Sequence, residues 1–239
     1  MRPFVAAAAV VLLAGCASSP PPPPYDYGPY LAHMPRSIVV IPPLNESPEP
    51  IAAYAFLSTI SKPIGERGYY VFPVTVVAEL MKQNGCPTPG EMNQVPPEKL
   101  REVFGADAAL FLTVTEWGTE YQILNAETVV SVTARLVDLR TGDEFWSNAQ
   151  TARTDSSDGE HDVGDMIAAA LVSQIFSSAT DPVHELAPAV STWLVWDAHQ
   201  GMLLGPYHPK YADDQAARRA APAAPLKLPE VQPDAPPAQ

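Results

Sequence analysis

Apolar positions along this chain follow two periods, and the change from one to the other outlines the fold. The run Ser37-Ile38-Val39-Val40-Ile41, closed by Pro42-Pro43, predicts a strand buried on both faces. Ala53, Phe56, Leu57, Ile60 and Ile64 then recur at helical spacing, with Gly68 as the stop. Tyr69 to Phe72 predicts a second short strand, ended by Pro73. Strand, helix and strand in that order form a β-α-β unit with parallel strands. Short helices are predicted over 75–84 and from Pro97 to Gly105, separated by a Pro/Gly-rich loop. The period then returns to two, with Leu110, Leu112 and Val114 alternating with Phe111, Thr113 and Thr115. That strand is predicted to bend at Gly118 and to continue as a meander over 119–124, 127–138 and 143–154. Its turns are short, so these strands are expected to be antiparallel neighbours. Val163, Ile167, Ala170, Leu171 and Ile175 mark an amphipathic helix laid on one sheet face. Beyond Asp181-Pro182 the periodicity weakens, leaving Trp193, Leu194, Trp196 and Gly201 to Pro206 as expected docking segments.

The expected fold class is α/β. A single mixed sheet, parallel at its β-α-β start and antiparallel in its closing meander, is flanked by helices over residues 36–211. The ends read differently. Arg2 is followed by an apolar run from Phe4 to Leu13 and then by Leu13-Ala14-Gly15-Cys16. The run is too short for a spanning helix, which needs about 20 residues. A positive start, a short apolar core and small residues before a cysteine form a lipoprotein signal. Residues 1–15 are therefore expected to be removed, leaving Cys16 acylated at the head of the mature chain. Two or more acyl chains make such an anchor lasting. Ala17, not Asp, follows Cys16, and by analogy with bacterial sorting rules this favours the outer membrane. Residues 16–35 are expected to be a Pro-rich tether, with Pro20 to Pro24 as a polyproline spacer. Tyr25, Tyr27 and Tyr30 are left open between the domain and the membrane interface. Residues 212–239 are Ala/Pro-rich and expected to be a disordered tail.

Charge narrows the partners. With 14 Lys+Arg against 27 Asp+Glu the net charge is -13. This speaks against nucleic acid and against a broad electrostatic grip on anionic lipid, so membrane contact rests on Cys16. Cys86 would then be the lone thiol. The five histidines show no metal-ligand spacing, and the acidic loop from Asp155 to Asp165 lacks the positions of a calcium loop. No metal or cofactor is expected. Asn45-Glu46-Ser47 lies at the C-terminal end of the first strand, where open α/β sheets place ligands. It reads either as a capped helix entry or as a ligand or partner surface.

Ile41-Pro42-Pro43-Leu44-Asn45-Glu46-Ser47-Pro48, Gly68-Tyr69-Tyr70-Val71-Phe72-Pro73-Val74, Phe104-Gly105-Ala106-Asp107-Ala108 and Ala134-Arg135-Leu136-Val137-Asp138-Leu139-Arg140 occur in this order. In these blocks the chain resembles a bacterial lipoprotein family known as domain of unknown function 799, with meningococcal members. Gly201 to Pro206 resembles its closing block. The resemblance implies an outer-membrane lipoprotein with a fold similar to the N-terminal domain of TolB, and it allows a homodimer. It implies no catalytic residues. The expected function is a periplasm-facing, non-enzymatic lipoprotein that acts through contacts with other envelope proteins. A ligand- or glycan-binding module near Asn45 to Ser47 is the alternative. A cell-wall hydrolase using Glu46 and Asp107 is the third reading.

Overall fold

The computed structural model describes residues 24–121, 126–155 and 182–220. In chain order the first elements are α1 (Gly28–His33), β1 (Ser37–Val40), β2 (Leu44–Asn45), α2 (Ala52–Glu66) and β3 (Tyr70–Val71). Three short helices follow: α3 (Val74–Gln83), α4 (Pro89–Met92) and α5 (Pro97–Phe104). The chain then makes β4 (Ala108–Tyr121), β5 (Ala126–Asp138) and β6 (Glu144–Asp155), and closes with α6 (Pro182–Trp196) and α7 (Tyr211–Ala220).

The strands form one six-stranded sheet in the order β3-β1-β4-β5-β6, with β2 also paired to β4. β1 is parallel to β3 and β4, and the β4-β5-β6 meander is antiparallel, as the two periods predict. β2 continues the line of β1 along β4. Ile41 still donates to the Leu110 carbonyl, at 3.0 Å. Pro42 and Pro43 have no N–H to give, so the ladder breaks there and resumes at Leu44 opposite Thr113.

Both faces of the central strands are buried. Ile38 and Val40 face the layer built by α2 and α6 with Phe56, Ile60, Leu186, Val190 and Leu194. Val39 and Ile41 face Val77 and Met81 of α3, Met92 of α4 and Leu100 of α5. Each fully buried side chain of this size contributes about 1.5–3 kcal/mol.

Four features depart from the sequence expectations. β4 is continuous from Ala108 to Tyr121, without a division at Gly118. Its irregularity lies earlier, where the pairing shifts between Val114 and Glu116. The stretch 16–35, expected to be a tether, includes residues that pack on the domain. Tyr25 and Tyr27 pack on the core, and α1 carries Tyr30 into it with no exposed surface. Residues 182–196, where periodicity weakened, form α6, and Val183, Leu186, Ala187, Val190 and Leu194 lie along its buried side. The tail assigned to 212–239 overlaps α7, which runs to Ala220. Cys16, the meander turn at 122–125 and the helix expected near 163–180 lie outside the described residues. No described helix is long and apolar enough to cross a membrane.

Candidate functional site

Asn45 ends β2, and Glu46 and Ser47 follow it. Glu46 N–H donates to the Val114 carbonyl at 2.9 Å. The Asn45 side chain closes a turn on itself. Its Oδ1 accepts from Ser47 N–H at 3.1 Å and Ser47 Oγ–H at 2.7 Å, while its Nδ2 donates to the Glu49 carbonyl at 2.8 Å. Such side-chain turns compete with helix capping. The capped-entry reading is corrected accordingly: the N-cap of α2 is Ile51, which makes no side-chain cap. Asn45 and Glu46 are exposed, and none of the three residues lines either cleft described next. Asp107 precedes β4, whereas Glu46 bonds at Val114. Seven strand residues at roughly 3.3 Å each separate the two positions by about 23 Å along β4, so they do not face one cleft.

A cleft of about 310 Å³ opens at the other end of the sheet, where β1 and β4 begin and β5 ends. Four separate segments build it: the stretch from His33 at the end of α1 to Arg36 before β1, Arg101 of α5, Asp107 before β4, and Asp138 at the end of β5 with Arg140 in the turn that follows. Asp107 Oδ2 accepts from Arg36 N–H at 2.9 Å, and from Ser37 N–H and Oγ–H at 3.0 Å each. Asp107 N–H donates back to Ser37 Oγ at 3.0 Å. This reciprocal latch holds the starts of β1 and β4 side by side. Asp138 does similar work at the end of β5. Its Oδ1 accepts from Arg140 N–H at 2.7 Å and Thr141 N–H at 3.0 Å, and its Oδ2 lies 2.9 Å from His33 Nδ1. Burial alone would push this carboxyl's pKa up. The bonds from His33 and the two backbone N–H groups outweigh burial and hold it below the usual carboxylate range. His33 stacks on Phe145, with ring centroids 5.1 Å apart.

A second cleft, about 340 Å³, lies on the open sheet face among Phe111, Thr113, Thr133, Arg135 and Ser147. The Arg135 guanidinium sits 4.5 Å over the Phe111 ring. Among the described residues no three His, Cys, Asp or Glu side chains gather at metal-binding distance.

A third surface is apolar. β3 is an edge strand, and Tyr70 on it is 51% exposed. Tyr70, Phe72 and Phe104 form an edge-to-face row with centroid spacings of 5.1 and 6.3 Å. Val103, beside Phe104, and Val76, on the helix that follows β3, are 52% and 61% exposed. Sequence reasoning passed over this row because Tyr69 to Phe72 is a short apolar strand, which pattern alone assigns to the core. The cationic cleft was hidden for another reason: its arginines carry no local motif, and His33 was weighed only as a metal ligand.

Comparison with known proteins follows the same boundaries. The profile of the family described as "Putative lipoprotein GNA1162-like" matches residues 25–207. A curated relative from Neisseria meningitidis serogroup B, "Putative lipoprotein NMB1124/NMB1162", is 42% identical over 183 residues. That alignment covers 76% of this chain and 85% of the relative. The crystal structure of lipoprotein GNA1162 from Neisseria meningitidis superposes with a TM-score of 0.51 and 47% identity, covering 60% of this chain and all of that one. The family match starts at Tyr25, the first tyrosine packed on the core, and ends at Tyr207, just past the Gly201–Pro206 segment. On this evidence the chain belongs to the GNA1162-like lipoprotein family.

Proposed function

We propose that this lipoprotein is held at the outer membrane by acyl chains on Cys16, faces the periplasm, and works without catalysis by binding another envelope protein. The anchor rests on the Leu13-Ala14-Gly15-Cys16 signal together with the family assignment. The exposed apolar side chains at the β3 edge, Tyr70 with Val76 and Val103, carry the contact reading. An edge strand with large apolar side chains in water is a liability that single-chain proteins usually cover or charge. Here Tyr70, Val76 and Val103 stand exposed at the edge that ends the sheet. A partner that laid an apolar surface on them would bury the aromatic row and complete the edge. The Asn45–Ser47 turn supports the ligand-binding alternative less well, because its polar groups are spent on each other.

The test is cross-linking of the full acylated chain in its own envelope, with a photo-reactive residue in place of Tyr70. The expected result is an adduct containing a different envelope protein, lost when Val76 and Val103 are both changed to Asp. Adducts containing only this chain, as monomer or homodimer, would overturn the reading. In parallel, Cys16→Ala is expected to move the chain out of the membrane fraction, and retention there would remove the anchor from the proposal.

A further inference from the structure

We propose that the cleft at the base of the sheet binds a phosphoryl oxyanion through Arg36, Arg101 and Arg140. This inference is independent of the protein-contact reading, since the cleft lies at the start of β1 and β4 and does not use the β3 side chains.

The first support is charge placement. The chain carries only 14 Lys and Arg against 27 acids, yet three of its arginines, from three segments, line this one concavity. Solvated surface cations in an acidic protein are expected to scatter among the acids.

The second is that the two carboxylates present do not use up those guanidinium groups. Asp107 spends Oδ2 on the backbone N–H groups of Arg36 and Ser37 and on the Ser37 hydroxyl. Asp138 is held by His33 and by two backbone N–H groups, and the Arg140 guanidinium approaches it only to 3.9 Å. The Arg36 guanidinium lies 5.7 Å over the Tyr207 ring, not on an acid. Arg101 makes no ion pair among the described residues. The acids fix the framework and leave the arginine forks to the cleft.

The third is fit. Guanidinium forks match the oxygens of phosphate in paired hydrogen bonds, and three of them suit a group with several equivalent acceptor oxygens better than a single carboxylate. About 310 Å³ is roughly ten water volumes at about 30 Å³ each, enough for a phosphoryl group and part of an attached ester. Because the whole molecule is at -13, long-range attraction is absent and the ligand is held by short contacts alone. Phosphoryl groups reach such a site either as soluble phosphate or as the headgroup of an anionic lipid.

Calorimetric titration of the full chain in an uncharged detergent distinguishes these. The probes are inorganic phosphate and short-chain phosphatidylglycerol. Saturable binding is expected, weakened about tenfold or more by R101Q/R140Q, which removes two charged hydrogen-bonding groups. Both arginines are exposed, so the variant should keep its melting temperature. The control K62Q/K99Q removes the same charge from exposed sites outside the cleft and should leave affinity within about twofold of the parent. Tighter binding of the lipid probe assigns the headgroup as the source, and equal or tighter binding of inorganic phosphate assigns soluble phosphate. Failure of the parent chain to saturate with either probe overturns the proposal, and so does an equal loss in both double variants.

Discussion

One hydroxyl directs the packing of the chain's closing block. The Tyr69 hydroxyl donates to the Leu203 carbonyl at 2.8 Å, and it lies 2.7 Å from the Tyr30 hydroxyl. A phenol has one hydrogen, so Tyr30 must be the donor to Tyr69. Burial raises both phenol pKa values well above the usual range, which keeps both groups as neutral donors. Direction makes the two substitutions unequal. Tyr30→Phe removes one bond and leaves Leu203 satisfied, so it should cost about 1 kcal/mol. Tyr69→Phe strands the Leu203 carbonyl and deprives the Tyr30 hydroxyl of its acceptor, so it should cost about 2–3 kcal/mol. Urea denaturation of the two variants measures the difference. Equal midpoints, or the reverse order, would show that the donor assignment is wrong.

The β4 strand shows how one inserted residue rescues a pattern. Strict alternation after Leu110, Leu112 and Val114 would turn Glu116 into the core. The shift between Val114 and Glu116 leaves Thr115 without a partner, its Oγ1 bonded to the Ser131 carbonyl at 3.2 Å. Trp117 then faces the core opposite Val130, 5% exposed, and Glu116 turns out to meet Arg153 at 3.1 Å. Deleting Thr115 should remove the bulge and leave Glu116 opposite Ser131 and Trp117 opposite Val130, each on its present face, so the chain should still fold with a loss of no more than about 1–2 kcal/mol. Thr115→Ala keeps the residue count and should cost under about 1 kcal/mol, and thermal melts of both chains compare them. Legibility follows the same logic. β1, β4 and β5 could be read because alternation or a continuous apolar run survives in their sequences. α6 could not, because Pro188 sits inside it and reads as a breaker, although the proline is exposed and its carbonyl still accepts from Ser191 and Thr192. α1 was obscured by Gly28-Pro29 following a proline run. The cationic cleft has no linear signature, since Arg36, Arg101 and Arg140 are brought together only by the parallel pairing of β1 with β4 and by the turn after β5.

At the scale of the whole molecule, the fate of the three N-terminal tyrosines decides where the domain begins and how near the membrane it stands. Tyr25 Oη accepts from Ser147 N–H at 3.2 Å, and Tyr27 Oη–H donates to the Gly201 carbonyl at 2.7 Å. Tyr30 packs edge-to-face on Phe145, with centroids 5.2 Å apart. These contacts fasten the segment before β1 to β6 and to the closing block, over sequence separations of more than a hundred residues. On the anchored reading, nine residues (16–24) separate the acylated end from the first packed tyrosine, against the twenty of a tether over 16–35. A chain beginning at Tyr25 should therefore melt within about a degree of one beginning at Cys16, because every core side chain among the described residues is kept. A chain beginning at Ser37 loses Tyr30, and the hole beside Phe145 and Tyr69 should cost about 3–5 kcal/mol, the range for removing a large aromatic side chain. Calorimetric melts of the three chains decide the matter. If the chain from Ser37 melts with the other two, the tyrosine segment belongs to the spacer after all, and the domain can stand farther from the bilayer.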